Sequence, residues 1–254
     1  MKHLFAILLL AFSFSVFSQE TFTVLFIKGD VTINGAPVAR GAKISTTDEV
    51  KYGTEQDMLA AISPAKGRVI LKPQPDKAKA NGELAFVIND IFMPVKSNAM
   101  TRAIGDDMGF ADDFVVQAYF SRRQLALLDT TGIAFDLEEY PMDDSHGFSI
   151  NLDGKIYDLP YDDNKALIVP QEIFEGDEIP EEADLELLYN DGGDRRKVAD
   201  LHVLIPDFDA LVEEIEIIKK SGLDHPWNNV SSYIQDTYGH TDQSRLQAIF
   251  LSIQ

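Results

Sequence analysis

Four carboxylates share one turn-rich stretch, residues 97–113: the doublets Asp106-Asp107 and Asp112-Asp113. Calcium takes roughly six to eight oxygen ligands, and an acid-rich loop can supply several of them. Asp106, Asp107, Asp112 and Asp113 are therefore the candidate metal ligands, and calcium is the cofactor they would take. A second acid-rich turn carries Asn190, Asp191 and Asp194. Neither stretch has the D-x-[DN]-x-[DN]-G-x₅-E spacing of an EF-hand loop.

Other chemistries find little footing. There is no cysteine, which removes disulfides, thiolate zinc sites and a cysteine nucleophile together. His146, His202, His225 and His240 lie far apart, and neither H-E-x-x-H nor G-x-S-x-G occurs. Paired carboxylates for acid–base work carry no information in a segment this acidic. No catalytic residue is assigned.

The three glycines of GDVTINGAPVARGAKI, Gly29, Gly35 and Gly41, could open a backbone for an anion. A phosphate loop clusters its glycines between a strand and a helix. Here apolar β-type residues separate them and no helical period follows, so they are read as turns.

Those residues must be carried by local elements. Residues 4–17 form an uncharged, mostly apolar run after Lys2, ending in Val16-Phe17-Ser18. The run is short of the ~20 residues that span a bilayer. It is read as a signal peptide, 1–18, cleaved after Ser18, which places the protein in the periplasm or outside the cell. From Thr21 to about Pro75 short apolar runs alternate with turn residues, including Asn34-Gly35, the pair suited to a two-residue hairpin.

The spacing Gly29-x-Val31, Gly35, Gly41-x-x-Ile44, Asp48-x-Val50, Gly53, Asp57, Ala60-Ala61-Ile62 and Gly67-x-x-Ile70-Leu71 resembles the FecR-type periplasmic domain. The resemblance covers residues 22–73. It implies a small, non-catalytic β module of an exported bacterial protein. Regulatory members carry a cytoplasmic segment and a membrane helix where this chain has its leader, so the sensor role is not implied.

A connector, 76–124, holds Leu84–Ile91, a strand candidate, and the start of Phe114–Leu128, read as a short helix then a strand. Asp153-Gly154 and Asp191-Gly192-Gly193 sit between alternating runs and predict two hairpins within an acidic, sandwich-like β domain, 125–205. Over 206–254 apolar residues recur at helical spacing: Phe208, Leu211, Ile215 and Ile218, then Trp227, Val230 and Ile234, then Leu246, Ile249 and Ile253. Gly222 stops the first helix, Pro226 opens the second and Thr241 is the expected cap of the third.

The expected fold is thus mainly β with C-terminal helices, α+β, with a FecR-like domain at 19–75. Charge adds a constraint. Residues 19–100 hold 10 Lys+Arg against 9 Asp+Glu, but residues 101–254 hold 11 against 33. So acidic a surface repels phosphate backbones and anionic lipid, which excludes nucleic acid and membrane surfaces as partners. No stretch beyond the leader reaches membrane length. The composition points to an exported, non-catalytic interaction or structural protein with a protein partner in a bacterial envelope. A calcium-dependent, glycan-binding module is the alternative, and a hydrolase comes third.

Overall fold

The computed structural model describes residues 20–73, 109–174 and 179–253. The leader, the Leu84–Ile91 strand candidate, Asp106 and Asp107 lie outside the described residues. The architecture is mainly β with C-terminal helices. Contacts divide the chain into two compact units, 1–94 and 95–254.

The described residues of the first unit form seven strands: β1 (Thr21–Lys28), β2 (Val31–Ile33), β3 (Ala36–Pro37), β4 (Lys43–Ser45), β5 (Val50–Tyr52), β6 (Met58–Ser63) and β7 (Gly67–Leu71). They form an antiparallel sheet in the order β4-β1-β6-β7 and a smaller one in the order β3-β2-β5. Phe22 and Val24 on β1 are two residues apart, so both point inward. They meet Leu59, Ala61, Val69 and Leu71 in a closed apolar core. The expected hairpin turn is present, with Asn34 at φ 52° and Gly35 at φ 80° joining β2 to β3.

Gly29 does more than turn. Its φ is 80°, and a Cβ there would lie 2.0 Å from Oδ1 of Asp57. A Cβ on Gly53 would come within 3.2 Å of Oδ2 of the same carboxylate. Asp57 accepts from the Thr54 N–H (2.8 Å) and hydroxyl (2.6 Å), and these bonds hold its carboxyl below the usual carboxylate range. The two glycines make the space that this carboxylate fills.

Among the described residues of the second unit, α1 (Asp113–Phe120) is followed by β8 (Gln124–Ala126), β9 (Thr131–Ala134), β10 (His146–Leu152), β11 (Lys155–Asp158), β12 (Tyr161–Asp162) and β13 (Lys165–Ile168). A short α2 (Pro170–Ile173) precedes the long hairpin β14 (Glu182–Asp191) and β15 (Asp194–Leu204). Helices α3 (Phe208–Lys220), α4 (Pro226–Tyr238) and α5 (Gln243–Ser252) close the chain. One sheet runs β11-β10-β14-β15-β8 and another β12-β13-β9. Both turn apolar residues into a single core that includes Ile133 and Ile168 from the small sheet and Phe148, Leu187 and Val203 from the large one.

Segments separated in the sequence reading at 124/125 and 205/206 share this one unit. The cause is long-range pairing. β8 lies parallel to β15, His202 opposite Gln124, and the Ala126 N–H donates to His240 O at 2.6 Å. A parallel pair needs a long crossover and leaves no local turn signal. One cap also differs from expectation. Asp242, not Thr241, caps α5 through the Ser244 and Arg245 N–H groups at 2.9 and 3.1 Å. Thr241 instead donates to Ala126 O, tying the helix entry to β8.

Candidate functional site

Of the four aspartates expected to hold a cation, the two described ones are engaged otherwise. Asp112 is the N-cap of α1, accepting from the Val115 N–H at 2.8 Å. Asp113 receives Nη1 of Arg196 at 2.7 and 2.8 Å on its two oxygens, and the Tyr140 hydroxyl at 2.6 Å. Burial, then Asp113 itself, pushes the Tyr140 phenol above its ordinary value. Among the described residues no group of three or more His, Asp or Glu side chains could hold a metal ion.

This network ties the first turn of α1 to β15 and to the turn at Tyr140. Arg196 reaches from β15 to the first turn of α1 while stacking over Tyr189 (5.0 Å to the ring centre) and Tyr140 (5.5 Å). Behind it, Val116 and Phe120 bury one face of α1 against the core. The helix start therefore has a capped end, a pinned acid and a packed back.

Upon that fixed turn, Phe114 is 81 % exposed and Val115 is 45 % exposed. Phe110 brackets Phe135 by two backbone hydrogen bonds, its N–H to Ala134 O and its C=O from the Asp136 N–H. Exposed Leu137 follows in the turn that ends at Tyr140, the residue bonded to Asp113. Two short segments, each carrying exposed apolar side chains, are thus joined by a hydrogen bond and a β-bridge.

The histidines separate into structural roles. His146 takes part in a tight turn around Asp143, whose carboxylate accepts from the Ser145 and His146 N–H groups at 2.8 and 2.9 Å and lies well below its ordinary pKa. His240 sits half-buried beside the Tyr119 ring, and burial, then the Arg123 charge, lowers its pKa. His225 precedes Pro226 at the start of α4 with φ 53°. His202 pairs with Asp184 at 2.8 Å in an open groove of about 420 Å³, which Ser121 also lines.

A serine, a histidine and an aspartate at one groove invite comparison with a hydrolase. The geometry is unlike one. Ser121 Oγ donates to Ala118 O in its own helix, and the Asp184 side chain is 89 % exposed, so water competes for the imidazole. A catalytic triad of this type relies on a buried carboxylate and a serine bonded to the ring.

Sequence reasoning missed the most buried acid among the described residues. Glu214 on α3 is fully buried and accepts from the Tyr233 hydroxyl at 2.9 Å and the Tyr238 hydroxyl at 2.9 and 3.1 Å. The signal was present. Glu214 lies three residues after Leu211 and four before Ile218, the same helical steps that Ile215 makes with them, so Glu214 belongs to the apolar stripe. The two tyrosines of α4 supply the donors that let it sit there.

No helix among the described residues is long and apolar enough to cross a membrane. Comparison with protein-family models, with curated proteins and with solved structures finds no match to this chain in any of the three.

Proposed function

We propose that this chain is an exported, non-catalytic interaction protein of a bacterial envelope, with a FecR-like β module at its N-terminal end and an acidic unit that engages a protein partner. The observation that carries the reading is Phe114, an aromatic side chain 81 % exposed on a helix turn that Asp112, Asp113 and Arg196 hold fixed. Binding energy in protein interfaces concentrates in a few aromatic and arginine anchors, and an anchor held rigid loses less entropy on binding. Val115 and Leu137 add exposed apolar surface on the same linked segments.

The leader and the absence of cysteine support export into an envelope where folding proceeds without disulfides. The excess of acid in residues 101–254 argues against nucleic acid and anionic lipid as partners.

The test is cross-linking and affinity recovery of the tagged full chain from intact envelopes, in calcium and in chelator. One stoichiometric protein partner, recovered equally in both, is expected. Recovery only with calcium would replace this reading with a cation-dependent one, and recovery of nothing specific would overturn the interaction reading.

A further inference from the structure

We infer that the first turn of α1, together with the 136–140 turn bonded to it, is the docking face for a basic protein segment that presents an apolar side chain. The inference rests on the interaction reading and adds the place and the partner's chemistry. The apolar part is Phe114, Val115 and Leu137, all exposed. The rim is acidic: Asp136, Glu138 and Glu139 flank Leu137, and Asp112 precedes the helix.

Two cations of the described residues on or beside α1 are engaged elsewhere. Arg196 is bound to Asp113, and Arg123 lies over the Tyr119 ring at 4.1 Å. The two linked turns thus carry exposed apolar side chains with acids as chain neighbours, on a unit already rich in acid. A second copy of this chain would bring the same negative rim and be repelled, as would a phosphate backbone or anionic lipid. A lysine- or arginine-rich segment with an apolar residue at its centre matches both parts of the surface. The negative rim steers encounter, and burial of Phe114 holds the complex.

Two arms test this on the full chain. In the first, fluorescence anisotropy follows a short labelled peptide of lysine and leucine with a central phenylalanine. All-lysine and glutamate–leucine peptides serve as comparisons. The lysine–leucine–phenylalanine peptide is expected to bind more tightly than the all-lysine one, and the glutamate peptide not to bind. The variant F114S/L137S is expected to weaken binding by about tenfold or more, about 1.4 kcal/mol. L251S, which removes an apolar side chain 71 % exposed on α5, is expected to leave it unchanged. Equal binding by F114S/L137S and the native chain, equal binding of the all-lysine peptide, or no binding at all would overturn the assignment. Because all three substituted side chains are exposed, unchanged melting curves verify that each variant folds.

In the second arm, native and F114S/L137S chains are cross-linked in envelopes. A partner lost only from the variant, and basic at its cross-linked site, supports the docking face. A partner retained equally by both chains overturns this face and leaves the interaction reading intact. Recovery of no partner by the native chain overturns both.

Discussion

Arg196 and Asp113 stand 83 residues apart in sequence and meet at 2.7 Å, joining the β15 strand to the first turn of α1. This contact and the cap at Asp112 fix the turn that presents Phe114. Both side chains are a little over two-fifths exposed, so solvent screens the pair. A double-mutant cycle on Arg196→Ala and Asp113→Ala, read by urea unfolding, is expected to give a coupling energy of about 0.5–1 kcal/mol. A value indistinguishable from zero would show that the turn does not depend on this contact.

Glu214 presents the opposite case, a carboxylate with no water to screen it. Glu214→Ala takes the acceptor from two buried phenols, and each buried donor deprived of a partner costs about 1–3 kcal/mol. The variant is expected to lose roughly 3 kcal/mol of stability in denaturant unfolding. Glu214→Gln keeps a carbonyl acceptor and is expected to lose clearly less. Equal losses in the two variants would mean that volume, not hydrogen bonding, sets the cost.

In the first unit the glycines separate by what surrounds them. Gly35 has φ 80° and open space around a hypothetical Cβ, whereas Gly29 has the same φ with the Asp57 carboxylate in the way. Gly35→Ala is expected to cost about 1 kcal/mol from left-handed strain alone. Gly29→Ala should cost at least twice that, measured by urea unfolding of the full chain. Comparable losses would contradict the role given to Asp57.

His240 makes the second unit sensitive to mild acid. Its folded pKa is lowered, first by burial and then by Arg123, so the unfolded chain binds its proton more readily. Its contribution to stability is complete above the ordinary histidine value of about 6.5 and is lost as pH falls through the lowered folded value. Thermal unfolding followed from pH 8 downward is expected to show a falling Tm below that value. His240→Gln should flatten the part of the curve above the carboxylate range. A slope unchanged by the substitution would assign it to other groups.

Local signals made much of this fold legible. Asn34-Gly35 and Asp153-Gly154 announce their hairpins because only a few residue types tolerate positive φ. The apolar period over 208–220 announces α3, and Pro226 announces the start of α4. What was not legible depends on contacts far apart in sequence. The parallel pairing of β8 with β15 has no turn to mark it, and the helix begins one residue later than expected, so that Asp242 takes the cap while the Thr241 hydroxyl donates to Ala126 O. Composition counts carboxylates without showing what they face, and Asp112 faces the α1 N–H groups as a cap. Asp113 faces Arg196, a residue no local pattern connects to it.

The most direct measurement places a photoreactive benzoylphenylalanine at position 114 of the full, exported chain, and separately at position 251, and irradiates intact envelopes. The account predicts one protein adduct from position 114, with a basic segment at the linkage, and none of that partner from position 251. Adducts that are identical from the two positions, or an acidic or lipid adduct at position 114, would contradict it.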